Sequence, residues 1–273
     1  MTRTETLAGL AVQIDEPDGG AAEVTVVLLH GWPDTAALWD DTVAVLRDRH
    51  RCVRFTWPGY RDGDPEREAY ALADLVERLH QVVQATAGGR PVTLVMHDWG
   101  CIFGYAYWRA HAQQVARLVG LDIGDAGSRA HVAELPWKAK LGAAGYQLWL
   151  AAAFIVGGDL GNVMARRMAA WLRVPVPAGR IHARMGHPYW ITWTGAAGSY
   201  RAARPFAADE PGVPMLFVCG RRKPFRFHSR AWAHAVAARP GCRVVEMPTG
   251  HWIMLDDPAG FQRVLLDWLG SPA

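Results

Sequence analysis

The chain has 273 residues, of which 51% are hydrophobic and 20% are charged, with a formal net charge of +3. These values predict a folded chain with a sizeable core and exclude a disordered one. The basic residues are scattered apart from a short run at 221–223, so we expect no nucleic-acid partner.

The termini and the cysteines suggest where such a chain would reside. We find no secretory signal and no apolar stretch long enough to cross a bilayer. The four cysteines lack the spacing of a metal site or of a disulfide framework. We therefore expect a cytoplasmic protein with no membrane partner, no metal and no cofactor, and a homodimer is an open alternative to a monomer.

Short apolar runs and helical patterns alternate through the first half of the chain. Such alternation is typical of a mostly parallel sheet with helices on both faces. The predicted strands are residues 23–29, 52–56, 91–96 and 115–123, and the predicted helices are 35–49, 70–85 and about 99–111.

The alternation stops after residue 123. Residues 124–206 have a helical character throughout, which is too long for an unstructured loop in a compact domain. Strands return at 213–219 and 242–247, and a last helix is predicted at 258–269. The sequence thus predicts an α/β core at 1–123 and 207–273 and an inserted helical cap at 124–206.

One tight turn between a strand and a helix carries a candidate nucleophile. In Met96-His97-Asp98-Trp99-Gly100 a strand passes directly into a helix, the context of a nucleophile elbow. The central residue is Asp98, which has no hydroxyl and cannot act as a serine nucleophile. A carboxylate can instead attack a polarised saturated carbon and form an ester. The alternative is that Asp98 only caps the helix.

Three motifs together resemble a known family. His30-Gly31-Trp32-Pro33 follows the first predicted strand, His97-Asp98-Trp99-Gly100 forms the elbow, and Gly250-His251-Trp252 lies near the C-terminus. In this order they resemble the epoxide hydrolase and haloalkane dehalogenase branch of the α/β-hydrolase superfamily. The resemblance implies the α/β-hydrolase fold with a helical cap, and hydrolase chemistry.

The resemblance also implies roles for groups around Asp98. His251 would be the general base that activates water, a step suited to an imidazole with a pKa of about 6.5. The backbone N–H groups of Trp32 and Trp99 would hold the oxyanion of the tetrahedral intermediate. His30 is expected to make hydrogen bonds within its turn rather than to catalyse.

The acid that should orient His251 departs from the family pattern. The resemblance predicts an acid after the strand at 213–219, but Lys223 occupies that place. Some related dehalogenases carry the acid at the end of the strand after the elbow helix, and Asp122, 24 residues after Asp98, resembles the arrangement in fluoroacetate dehalogenases. The resemblance therefore makes Asp122 our first choice and Asp125 our second. An unassisted His251 would hold its tautomer less well and would slow the reaction.

Opening an epoxide requires a group that protonates the departing oxygen. Tyrosine hydroxyls, with a pKa of about 10, suit this role. Tyr146, in Tyr146-Gln147-Leu148-Trp149, resembles the first cap tyrosine of epoxide hydrolases. Tyr200, in Gly198-Ser199-Tyr200-Arg201, resembles the second, and Tyr189 is a spare candidate.

Three functions remain open on these grounds. The first is hydrolysis by water of a small apolar or aromatic epoxide, a preference suggested by the thirteen tryptophans. The second is haloalkane dehalogenation, in which Trp99 with Trp137 or Trp149 would bind the halide. The third is a binding protein without catalysis, suggested by Lys223 at the position of the acid.

Overall fold

A computed structural model describes residues 2–17, 20–196, 200, 207 and 212–271. The strands are β1 (Thr2–Leu7), β2 (Leu10–Asp15), β3 (Thr25–Leu29), β4 (Arg51–Phe55), β5 (Val92–His97), β6 (Val115–Leu121), β7 (Met215–Gly220) and β8 (Arg243–Met247). The α-helices are α1 (Asp40–Leu46), α2 (Leu72–Thr86), α3 (Trp99–Ala110), α4 (Arg129–Glu134), α5 (Trp137–Val156), α6 (Gly158–Trp171), α7 (His187–Thr194), α8 (Arg230–Ala237), α9 (Ile253–Asp256) and α10 (Pro258–Gly270).

The strands form one sheet in the order β1-β2-β4-β3-β5-β6-β7-β8. The pairs β1–β2 and β2–β4 are antiparallel. All neighbouring strands from β4 to β8 in this order pair in parallel. The prediction of a mostly parallel sheet is therefore confirmed. The carboxyl ends of the parallel strands lie at one edge, where ligands of α/β proteins bind.

Helices cover both faces of this sheet, as predicted. Side chains of α2, α3 and α8 pack on one face together with alternate strand residues such as Val27 and Leu29. Side chains of α1, α9 and α10 pack on the other face, against Val26 and Leu28. Since successive side chains of a strand point to opposite faces, β3 is buried on both sides.

The described part of the segment between β6 and β7 is mostly helical, with α4 to α7 and short 3₁₀ turns joined by loops. The division into a core and a cap stays a prediction, because part of 124–206 lies outside the described residues. One expectation changes, since α5 is long and apolar enough to cross a membrane by length and composition. The expectation of no such stretch was wrong, because α5 meets this criterion although Lys138 and Lys140 lie in its first turn.

Candidate active site

The turn at Asp98 holds its side chain at the carboxyl edge of the sheet. Asp98 joins β5 to α3 with φ 52° and ψ −125°, a conformation that L residues rarely adopt. The backbone of Gly31 lies so close that an added Cβ would stand 2.3 Å from Asp98 Oδ1 and 2.4 Å from Trp99 N. Only glycine at position 31 lets the two turns approach this closely.

Backbone N–H groups contact the Asp98 carboxylate. The N–H of Trp32 donates to Oδ1 over 2.6 Å. The backbone of Trp99 is also a hydrogen-bond donor to Asp98. The two groups named in the sequence analysis thus contact the carboxylate itself.

The side chain of His30 holds the turn at Trp32 through hydrogen bonds to the backbone. Its Nδ1 donates to the carbonyl of Gly31 over 3.0 Å, and its Nε2 accepts the N–H of Trp57 over 3.1 Å. Burial lowers the pKa of His30 to about 4, so the ring is neutral at neutral pH. Its hydrogen bonds go to the backbone, in line with the expected structural role.

His251 lies between two carboxylates. Its Nε2 is 3.4 Å from Asp98 Oδ2, and its Nδ1 is 2.5 Å from Asp122 Oδ2. The neighbouring ring of His97 donates from Nε2 to the backbone carbonyl of His251 over 3.1 Å. Burial lowers the pKa of His97 to about 3 and keeps it neutral, so it acts as a donor that fixes the His251 loop.

The side chains of Asp122 and Asp125 contact different partners. Asp122 follows β6, is fully buried and has a φ of 70°. Asp125 accepts hydrogen bonds from Ser128 and from both the backbone and the hydroxyl of Ser229. The structure therefore brings Asp122, and not Asp125, to His251.

Lys223 is a partner of Asp122 that the sequence analysis missed. The Lys223 ammonium forms an ion pair with Asp122 Oδ1, which also accepts the N–H of Gly220 over 3.2 Å. Both side chains of the pair are buried. The lysine thus contacts the same carboxylate that approaches His251. The two residues are 101 positions apart, so sequence alone offered no signal for the pair.

Burial and charge shift the titration of these groups in opposite directions. Burial by itself lowers the pKa of His251, but hydrogen bonds to Asp122 and Asp98 outweigh it and raise the pKa to about 9. Burial by itself raises the pKa of Asp98 and Asp122, but His251 lowers both, and Lys223 holds that of Asp122 far below its usual range. The resting site is therefore an imidazolium between two carboxylates.

Two cavities, of about 350 and 660 Å³, share Asp98, Tyr146 and Tyr189 in their linings. Both cavities are lined mainly by apolar side chains, and the larger one also reaches His251 and Lys223. Burial raises the pKa of Tyr146 to about 12 and that of Tyr189 further, so both hydroxyls stay protonated. The rings of Tyr146 and Tyr189 pack edge to face at 5.9 Å.

Tyr200 has a different environment. It lines the smaller cavity, but its hydroxyl donates to the backbone carbonyl of Tyr70 over 2.5 Å. Its neighbours Gly198, Ser199 and Arg201 lie outside the described residues. Tyr189, the spare candidate, packs against the rings of Trp32 and Trp99 and so lies directly beside the elbow.

One group of side chains among the described residues could hold a metal ion. Cys219, His228 and Glu246 each place a potential ligand atom within 4.8 Å of the others. None of the three lines the cavities at Asp98. Arg226 pairs with Glu246 over 3.0 Å, and its charge would oppose a cation there.

Comparison with known proteins agrees with this architecture. The sequence profile of the "Alpha/beta hydrolase family" matches residues 26–264. In fold, the chain is similar to an epoxide hydrolase from Bacillus megaterium, with a TM-score of 0.72 at 16% identity over 98% of this chain and 100% of that one. It is also similar to a haloalkane dehalogenase variant from Bradyrhizobium elkanii, with a TM-score of 0.69 at 17% identity over 98% and 96% of the two chains.

Curated relatives divide into partial and full-length matches. "Probable oxidoreductase EphD" of Mycobacterium tuberculosis is 36% identical over 35% of this chain, which spans only 18% of that protein. "Cis-3-alkyl-4-alkyloxetan-2-one decarboxylase" of Xanthomonas campestris is 33% identical over 43% of this chain and 41% of its own length. "Epoxide hydrolase A" of Mycobacterium tuberculosis is 28% identical over 96% of this chain and 94% of its own length.

The profile match covers most of the chain, and the sheet order, the strained elbow and the late histidine occupy the places that the resemblance implied. The chain belongs to the alpha/beta hydrolase family.

Proposed function

We propose that the protein is an epoxide hydrolase that opens a small apolar epoxide through an ester on Asp98. One observation carries this proposal: the nucleophile position holds a carboxylate whose two oxygens face different partners. Oδ1 accepts the Trp32 N–H over 2.6 Å, and Oδ2 lies 3.4 Å from His251 Nε2. The likeness to Epoxide hydrolase A along nearly the whole chain supports the same reaction.

In the first step Asp98 Oδ2 attacks one carbon of the epoxide ring. The new C–O bond forms as the ring C–O bond breaks, and the electron pair moves to the ring oxygen. A neutral hydroxyl at the cavity wall gives its proton to this oxygen. The lowered pKa of Asp98 keeps the nucleophile ionised for this attack.

In the second step water hydrolyses the ester. The proton that His251 carries at rest first returns the tyrosine to its neutral form. His251 Nε2 then takes one proton from the water while the water oxygen attacks Asp98 Cγ. The charge of the tetrahedral intermediate develops on Oδ1, where the N–H of Trp32 already points. The Cγ–Oδ2 bond then breaks, and the departing alkoxide takes the carboxyl proton and leaves as the diol. Asp122 holds the other ring nitrogen of His251 and stabilises the imidazolium that forms.

We assign the proton-donating tyrosines to Tyr146 and Tyr189. Both line the two cavities that contain Asp98, and their rings contact each other. The hydroxyl hydrogen of Tyr200, the second tyrosine of the sequence prediction, is directed at Tyr70 instead. Tyr200 then supports the wall formed by Trp99 and Phe103, whose rings lie 5.8 Å from its own.

The cavity walls favour an apolar substituent on the epoxide. Trp99, Ile102 and Ile123 line the smaller cavity, whose lining does not include His251. Burying apolar area here contributes about 25 cal/mol per Å². An aryl or alkyl group would therefore occupy the smaller cavity, which leaves the larger one for water.

The test is diol formation from a panel of styrene-oxide-type substrates. Tyr146→Phe and Tyr189→Phe should each lower kcat/KM by about 100-fold, the range of a lost general acid. Tyr107→Phe is the matched control, because Tyr107 is buried on α3 and is absent from both cavity linings. Absence of diol across a broad panel would contradict the proposal, and a loss of the same size in Tyr107→Phe would contradict the assignment of the two tyrosines.

A second candidate reaction is favoured by the partial match to the oxetan-2-one decarboxylase. A four-membered lactone carries a strained C–O bond like that of an epoxide, but its leaving group is a carboxylate that needs no proton. Loss of CO₂ from such a ring leaves an alkene. Alkene and CO₂ release that persists in both Tyr→Phe variants would favour this reaction over epoxide opening.

A further inference from the structure

The helical segment between β6 and β7 exposes an apolar surface that the proposed reaction does not explain. Thirteen large hydrophobic side chains are exposed among the described residues, and eleven of them lie between 132 and 193. Scattered single apolar residues are normal on a soluble surface, but a cluster of this kind marks an interaction site.

The arrangement on α5 is a stripe. Trp137, Leu141, Leu148 and Ile155 follow one another at spacings of four and seven residues, which places them on one side of a helix. Trp137 is 68% exposed and Leu141 65%. Only 28% of the most apolar part of this helix is buried. A helix with this apolar character is ordinarily buried.

On α6 the larger apolar side chains lie on the exposed side, the reverse of a helix on the surface of a soluble protein. Its inward side carries the small residues Gly161, Ala165 and Ala169, which are buried. Its outward side carries Leu160, Val163 and Trp171. The helix therefore presents its larger apolar side chains to the outside. Since α6 follows α5 after Gly157 and packs against it, the two outward sides adjoin.

Positive charge accompanies this surface. Residues 124–196 contain eight Lys and Arg side chains against three Asp and Glu, a net formal charge of +5, while the whole chain carries +3. Lys138 and Lys140 lie on either side of the α5 stripe in its first turn, and both are exposed. The Lys138 ammonium also lies 5.7 Å from the Trp137 ring centroid. Tryptophan beside lysine, next to an apolar stripe, is typical of helices that lie in a membrane interface.

We propose that the outward side of α5 and α6 docks on a lipid bilayer that contains anionic lipids. The apolar stripe would enter the headgroup region, and Lys138, Lys140 and Arg167 would pair with lipid phosphates. This replaces the expectation of no membrane partner. A second copy of the chain fits less well, because Lys138, Lys140 and Arg167 of each copy would face the same three cations of the other, while Asp159 is the one exposed carboxylate of these two helices.

The position of the cavity is consistent with this orientation. Trp171, Leu172 and Arg173, at the end of α6, line the larger cavity that reaches Asp98. The exposed Trp171 belongs to both the outward surface and the cavity wall. Docking would therefore bring the opening beside the lipid, where an apolar substrate is concentrated. This last consequence rests on the proposed function, whereas the docking does not.

The test is vesicle co-sedimentation of the full chain. We expect binding to vesicles of equal parts phosphatidylcholine and phosphatidylglycerol, and much weaker binding to phosphatidylcholine alone. Each of Lys138→Gln and Lys140→Gln should weaken binding to the anionic vesicles by about fivefold. The double variant Leu141→Gln/Leu160→Gln should abolish most of it.

Leu255→Gln/Leu266→Gln is the matched control. These are the two exposed large hydrophobic residues that the described part of the chain has outside the helical segment. The control double variant should bind the anionic vesicles as strongly as the unmodified chain does. No binding to anionic vesicles, or equal binding by both double variants, would overturn the proposal.

A dimer in lipid-free buffer that Leu141→Gln/Leu160→Gln dissociates would also overturn it, in favour of a second copy. Because binding is measured without substrate, failure of the docking leaves diol formation untouched, and absence of diol leaves the docking intact.

Discussion

Replacing Asp98 by asparagine should make His251 a far weaker base in the resting protein. Asp98 Oδ2 lies 3.4 Å from His251 Nε2. At an effective dielectric constant of about 20, unit charges at this distance interact by about 5 kcal/mol, or about 3.5 pKa units as an upper bound. Delocalised charge reduces this value. We expect Asp98→Asn to lower the pKa of His251 by about 2 units, from about 9 to about 7.

This shift in the pKa of His251 matters for the reaction, because the charge on Asp98 changes when the ester forms. An ester on Asp98 is neutral, as is the amide of Asp98→Asn, so the variant reproduces the charge of the intermediate. If the pKa of His251 falls when the negative charge disappears, the imidazolium gives up its proton at the stage where a base is needed. The nucleophile would thus set the protonation state of the base.

The assay is an NMR titration of the His251 ring in both proteins. Asp256→Asn is the control, because Asp256 lines the larger cavity but accepts its hydrogen bond from the N–H of Gly250. The control should leave the pKa of His251 near 9. If Asp98→Asn also leaves it near 9, then Asp122 alone sets it, and the reasoning about the intermediate is refuted.

Three further outcomes follow from the same contacts. His251→Gln should accumulate the ester, seen by mass spectrometry as Asp98 bearing substrate, and rapid turnover without it would count against the base. Lys223→Met should lower the free energy of unfolding by about 3 kcal/mol in denaturant titration, because buried Asp122 loses its cation; an unchanged midpoint would show that the pair contributes nothing. Because the pKa of His251 is raised in the folded protein, its contribution to the free energy of unfolding should be complete below pH 6.5, and about 3 kcal/mol should be lost as the pH rises through about 9. If His251→Gln shows the same dependence of the free energy of unfolding on pH as the unmodified protein, His251 is not its cause.

The site motifs could be predicted because they are local. His-Gly-Trp-Pro, the elbow and the Gly-His-Trp segment each follow a strand, and the carboxyl ends of parallel strands meet at one edge. The choice of Asp122 before Asp125 likewise depended on position at the end of β6. In the structure Asp122 contacts His251, and Asp125 contacts Ser128 and Ser229.

Other features depend on contacts that a sequence does not display. The β1–β2 hairpin escaped prediction because β1 is polar and exposed and lacks an alternating apolar pattern. The Lys223–Asp122 pair joins the loop after β7 to the end of β6, and Tyr189 reaches the elbow only through the packing of α7. The exposed side of α5 and of α6 could not be predicted, because periodicity cannot tell which side of a helix is buried.

The central claim is that Asp98 forms a covalent ester with the substrate. A single turnover in water enriched in oxygen-18, with protein in excess over styrene oxide, tests it most directly. Water attacks Asp98 Cγ in this account, so mass spectrometry of the peptide should find one heavy oxygen in the Asp98 carboxylate. Heavy oxygen in the diol with none in Asp98 would show direct attack of water on the epoxide and would contradict the account.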